Sequence, residues 1–136
     1  MRLHPALLAV LSLLSPVALA EQVEVFKLTA QSVRAVPGAK VYDVDTLQAI
    51  TERLSAGLPS APGIATEMAR ARFAAMSAAD KAALQLAARV VGQAAHYRLE
   101  KVPAIVIDRR AVIYGVSDVA QALTIYRRWH AGEAGR

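Results

Sequence analysis

The chain has 136 residues, a formal charge of +5 and no cysteine, a length that fits one domain. The lack of cysteine excludes thiol–disulfide exchange, thiolate catalysis and cysteine-type zinc sites. The basic excess is spread along the chain, which suits weak attraction to acidic surfaces and falls short of a nucleic-acid footprint.

Residues 1–20 read as a secretory signal peptide. Arg2 supplies the basic start, Ala6 to Leu14 the apolar run, and Ala18-Leu19-Ala20 a small-residue ending that fits cleavage after Ala20. The apolar run is too short to cross roughly 30 Å of hydrocarbon, a retained N-terminal anchor being the alternative. The expected location is the periplasm of a Gram-negative-type cell, or the exterior of another cell type. Residues 21–136 then form a single domain, long enough to bury roughly two-thirds of its unfolded surface without disulfides or metal. No later apolar run approaches the roughly 20 residues of a membrane helix.

QVEVFKLT, Gln22 to Thr29, alternates with Val23 and Val25 on one face and Glu24, Phe26 and Leu28 on the other. Bulky apolar groups on both faces predict an inner strand covered on two sides. Ala30 to Lys40 is a loop or single helical turn with Pro37-Gly38 as its turn signal, and Lys40 to Val44 is a second, short strand. Asp45-Thr46-Leu47-Gln48 has the form of a capping box opening a helix that carries Leu47, Ile50 and Leu54 and stops near Gly57. The LPSAPG break, Leu58 to Gly63, is an ordinary helix–helix connection. Ile64 to Ala75 resumes helical patterning with Arg70 and Arg72 toward water. Ser77 caps the longest helix, which runs to about Arg98; its leucines, valines and many alanines predict packing on more than one side.

Ala104 to Ile107 and Ala111 to Tyr114 read as two strands joined by a tight turn at Asp108-Arg109-Arg110 and therefore antiparallel. Gly115 suits a strained exit. Ser117-Asp118, with Ser117 as N-cap, opens a last helix with a stripe of Val119, Ala122, Leu123 and Tyr126; the small, polar tail at 131–136 is expected to fray. Two strands before the helices and two after predict an α/β fold. It is thioredoxin-like, a four-stranded mixed sheet with helices on both faces, and Val102-Pro103 stands where that fold places a cis-proline ahead of its C-terminal hairpin.

The run from Val102 to Trp129, VPAIVIDRRAVIYGVSDVAQALTIYRRW, resembles the C-terminal signature of a family of exported proteins encoded by integrating conjugative elements. The VEVF strand, the VYDVDTLQ segment, the LPSAPG break and the alanine-rich helix are similar to that family as well, so the likeness covers essentially the whole chain after residue 20. Val102 and Ser117 depart from it, standing where an aromatic residue and a threonine are more usual. The resemblance implies a periplasmic accessory of conjugative DNA transfer, similar in layout to thioredoxin-like parts of a type IV secretion mating apparatus. It carries over no established activity.

Among candidate residues, Val102-Pro103 leads. In thioredoxin-like proteins the backbone before a cis-proline faces the place where an extended peptide pairs by main-chain hydrogen bonds; the plainer reading is a structural turn. Arg109 and Arg110 at the hairpin tip, Tyr114, and Trp129 one helical turn from Tyr126 complete the expected partner-binding set, with solvated charge and core packing as their plain alternatives. Arg127-Arg128 lack the basic stripe and stacking aromatics of a nucleic-acid site. His96 and His130 have no H-x-x-x-H or His/Asp companions, so no metal or other cofactor is expected. Asp43, Asp45, Asp108 and Asp118 could do acid–base work if desolvated, but capping and turn chemistry accounts for Asp45, Asp108 and Asp118; Ser117 has no base at motif spacing. The expected function is a non-enzymatic interaction module docking on an envelope protein of a conjugation or secretion apparatus, of open oligomeric state. The alternative is a periplasmic enzyme or small-ligand-binding protein using carboxylates near the C-terminal hairpin.

Overall fold

The computed structural model describes residues 20–134. Except for Ala20, the proposed signal peptide lies outside the described residues, as do positions 135 and 136. Eight elements follow in chain order: β1 Val23–Lys27, β2 Lys40–Asp43, α1 Thr46–Ser55, α2 Pro62–Ala75, α3 Ala78–His96, β3 Ala104–Ile107, β4 Ala111–Tyr114 and α4 Val119–Ala134. The strands form one mixed sheet in the order β2-β1-β3-β4. β1 and β2 are parallel, whereas β1–β3 and β3–β4 are antiparallel. This is the predicted α/β architecture.

Alternation along β1 and β3 divides the interior in two. Val23, Val25, Ile105 and Ile107 point to one face, where Val119, Ala122, Leu123 and Tyr126 of α4 cover them. Phe26, Ala104 and Val106 point to the other, under Val90 of α3, with Ala94, Tyr97 and Leu99 beside it. Helices thus cover both faces. Each fully buried valine, isoleucine or phenylalanine contributes roughly 1.5–3 kcal/mol, so the two inner strands carry most of the core.

The ends of the elements use chemistry that sequence spacing partly hides. Residue 108 and residue 109 both have positive φ, 52° and 56°, and the Arg110 N–H bonds the Ile107 carbonyl at 3.0 Å, the form of a mirror-image hairpin turn that suits the strand twist. Gly115 has φ +72°, as its place at the strand exit predicts. α3 ends in a Schellman motif: Leu99 N–H bonds the Ala94 carbonyl and Arg98 N–H the Ala95 carbonyl, with Arg98 at φ 53° where glycine is usual.

Several expectations are corrected. Asp45 makes no side-chain cap on α1; its carboxylate instead accepts from the main chain and hydroxyl of Thr29 at 3.0 and 2.9 Å. Ser117 is not the cap of α4. Asp118 is, accepting from the Ala120 N–H at 2.9 Å. Arg72 does not face water: it donates to the Leu54 and Ala56 carbonyls at 2.7 Å each, satisfying the orphaned C-terminus of α1. α3 buries Ala87 and Val90 on one side and leaves Leu86 and Val91 exposed, while α2 buries nothing. Helix α4 continues through residues 131–134, part of the tail expected to fray.

Candidate functional site

Topology gathers four loop segments at one end of the sheet. β1 and β2 leave it there, the chain enters β3 from it, and β4 exits to it. Here the Val102–Pro103 peptide is cis and both residues are half-buried. The Val102 carbonyl accepts from the Gln31 side-chain amide N–H at 3.3 Å, and the Oε1 of the same side chain accepts from the Leu28 N–H at 2.9 Å. Gln31 thereby ties the exit of β1 to the proline turn and occupies an acceptor that an incoming peptide would use. The Pro103 carbonyl accepts from the Gly115 N–H at 3.4 Å.

The same end holds a short parallel bridge between Arg34 and Asp118. Arg34 N–H donates to the Ser117 carbonyl at 2.8 Å and its carbonyl accepts from Val119 at 3.0 Å; its guanidinium lies 3.3 Å from Asp118. Ser32, Val33, Arg34, Ser117 and Asp118 line an open groove of about 460 Å³. Asp45, through its bonds to Thr29, ties the segment after β2 to the exit of β1. The Thr29 main-chain N–H, foremost, holds the Asp45 carboxyl below its usual range.

At the opposite end sits the hairpin turn. Asp108 accepts from the Gln22 N–H at 2.8 Å and from the Tyr126 hydroxyl at 2.9 Å, so its carboxylate holds the start of β1 and α4 together; the bond to Asp108 pushes the Tyr126 hydroxyl pKa up. Arg127 donates twice to Glu21 at 2.7 Å, and that bond lowers the Glu21 carboxyl. Back at the loop end, where β1 and β2 finish side by side, Asp43 faces the Lys27 ammonium at 2.6 Å.

The six residues expected to bind a partner divide between the two ends. Val102, Pro103 and Tyr114 belong to the loop end, where the Tyr114 hydroxyl accepts from the Glu100 N–H at 3.4 Å and the Lys101 ammonium lies 5.3 Å from its ring. Arg109 and Arg110 are exposed at the hairpin tip, and Arg110 shares an apolar groove with Trp129. His96 packs near Tyr97, and His130 near Tyr126 and Trp129. Among the described residues no three His, Asp or Glu side chains converge as a metal site would require.

One constellation escaped the sequence reading. Glu24, in the middle of β1, is only 6% exposed. The Tyr97 hydroxyl donates to its carboxylate, and Gln93 donates to that hydroxyl at 2.8 Å. Tyr42 faces the same carboxylate; burial, then the Glu24 charge, push its hydroxyl pKa up. Burial likewise raises that of Tyr97, followed by its bond to Glu24. Arg89 and Arg109 join Glu24, Tyr42 and Gln93 around an opening of about 280 Å³. The available signal was the glutamate itself, since an inner strand covered on both faces offers it no place in water.

Residues 20–132 match a family described as "Protein of unknown function (DUF1525)". The chain belongs to that family. No curated protein and no solved structure matches it. Within this DUF1525 member the matched span holds both ends of the sheet, from Gln31 and Val102–Pro103 to Glu24 and the hairpin tip.

Proposed function

We propose that this DUF1525 protein is an exported, thioredoxin-like interaction module that serves conjugative DNA transfer by docking on another envelope protein. The observation that carries the reading is the contrast between its polar and apolar groups. Carboxylates at both ends are engaged in holding loops: Asp45 on Thr29, Asp108 on Gln22 and Tyr126, Asp118 on the start of α4. Large apolar side chains meanwhile face outward, among them Ile64, Phe73, Leu86, Ile125 and Trp129, as expected of a surface that meets partners. The conjugative setting rests on the likeness of the YGVSDVA segment to exported proteins of integrating conjugative elements.

Photo-crosslinking from surface positions of the exported protein, in cells carrying the whole element, tests this. Reproducible adducts with an envelope protein encoded by the element are expected; uniform failure from positions on every face would overturn it. A second reading, a small-ligand-binding protein, is favoured by the buried Glu24, which lines one opening together with Tyr42, Arg89 and Arg109. It predicts a compound that raises the melting temperature of the wild type and not of Glu24→Gln.

A further inference from the structure

We propose that β4 is an acceptor edge for strand addition, taking an extended peptide segment of the partner that alternates apolar and acidic residues. The inference rests on the reading of the protein as an interaction module and names the surface and the chemistry it would recognise.

β4 ends the sheet, with β3 on one side and, among the described residues, no strand on the other. The ladder phase follows from two bonds that flank it. Gly115 N–H reaches the Pro103 carbonyl on the β3 side, and Asp108 N–H reaches the Gln22 carbonyl on the β1 side. With the register Ile105↔Ile113 and Val106↔Val112, residues 111 and 113 of β4 bond to β3. The N–H and C=O of Val112 and Tyr114 therefore point off the sheet. Donor–acceptor pairs two residues apart are what an incoming strand requires.

The edge also lacks the usual protection. Within AVIY there is no proline, no lysine and no bulge, whereas the other edge, β2, carries Lys40 and Asp43 at its two ends. Beside β4, on the α4 side of the sheet, Ala111, Ile113, Ile125, Tyr126 and Trp129 line an apolar groove of about 290 Å³. Ile125 is 42% and Trp129 46% exposed. Every second side chain of an added strand would enter this groove, with Trp129 as its rigid aromatic wall.

Charge decides the occupant. Arg109 and Arg110 stand at the turn end of β4 and Lys101 at the other, and Arg128 falls one turn from Ile125 on the same side of α4. The acidic residues nearby are Glu100, Glu133 and Asp108, the last with its carboxylate engaged by the Gln22 N–H and the Tyr126 hydroxyl, so the four cations leave the rim net basic. Pairing with a second copy in antiparallel sense would set the Arg109–Arg110 turn of each beside the Lys101 end of the other, which like charge disfavours. An acidic and apolar strand meets both requirements.

The test is a selection of linear decapeptides from a random library on the full chain after residue 20, followed by ¹⁵N titration with the best synthetic peptide. The expected result is alternating apolar and acidic residues, with the Val112 and Tyr114 amides shifting and gaining exchange protection. N-methylation at alternate peptide positions should abolish binding in one phase and spare it in the other. Trp129→Ala should weaken binding at least tenfold with the melting temperature held, and Lys for Glu in the peptide should do the same. Peptides that map to the Val102–Pro103 loop, tolerance of N-methylation in both phases, no binding from any library, or Val112 and Tyr114 protection that grows with protein concentration alone would each overturn it. Failure here leaves the crosslinking result untouched, so the edge and the interaction reading fall separately.

Discussion

Replacing Tyr97 by phenylalanine removes one oxygen and keeps the ring that packs edge-on against Phe26 with centroids 6.0 Å apart. The hydroxyl donates to Glu24, which is only 6% exposed, so water from the adjoining opening replaces the lost donor in part. A hydrogen bond to a charged group is worth about 1.5–3 kcal/mol. The Gln93 amide, half-exposed, recovers a water partner and adds little. Tyr42 remains beside the carboxylate and holds the loss below the top of that range, so Tyr97→Phe should cost about 2 kcal/mol. In a domain of this size that lowers the melting temperature by roughly 8 °C. Thermal and urea unfolding of residues 21–136 measure it, with Glu24→Gln and the double variant completing a cycle whose coupling should reach about 1 kcal/mol. A melting temperature within about 2 °C of wild type, or strict additivity in the cycle, would refute the claim that Glu24 is held by this hydroxyl.

Arg98→Gly should stabilise the protein by about 1 kcal/mol, seen as a higher urea midpoint at unchanged slope, because glycine relieves the left-handed conformation that closes α3. Gly115→Ala should cost about 1 kcal/mol through backbone strain alone, since among the described residues no atom beyond its chain neighbours lies within 4 Å of the added carbon. The raised pKa values of Tyr42, Tyr97 and Tyr126 contribute stability that is complete below the ordinary tyrosine value of 10.0 and is lost as pH climbs through the raised ones. Urea midpoints should therefore fall above pH 10, less so in Tyr97→Phe. The depressed carboxyls of Glu21 and Asp45 act in the opposite window: their contribution is present above 4.5 and 3.8 and disappears as pH falls below those values. Arg127→Ala should flatten the Glu21 part of that acid limb.

The inner sheet was legible because burial writes itself into alternation. Val23 and Val25 against Phe26, and an apolar run on both faces of β3, are consequences of helices on two sides, and the short turn at Asp108-Arg109-Arg110 left only antiparallel pairing for β4. Asp45 was misread because its spacing to Gln48 is that of a capping box, while the parallel pairing of β1 with β2 brings Thr29 to its carboxylate from sixteen residues away. Arg72 is a similar case, since it satisfies carbonyls on another helix. Alanine-rich α3 looked doubly packed because small residues permit close approach without requiring it. Of the candidate site, Pro103 and the hairpin arginines could be named from local pattern. Gln31 could not, its role existing only once β1 and the proline turn share an end of the sheet. Glu24 was visible as a charge in a strand with no solvent side, but its tyrosine partners come from β2 and the end of α3, which spacing does not connect.

The central claim is the proposed role in conjugative transfer, and transfer frequency of the element proposed to encode this protein, measured in a strain lacking the gene and complemented with single variants, tests it most directly. An interaction module predicts that deletion lowers transfer, that Trp129→Ala and Ile125→Glu fail to restore it while exported at normal levels with wild-type melting temperatures, and that Glu24→Gln restores it. Normal transfer without the protein, or full rescue by both surface variants and none by Glu24→Gln, would contradict it.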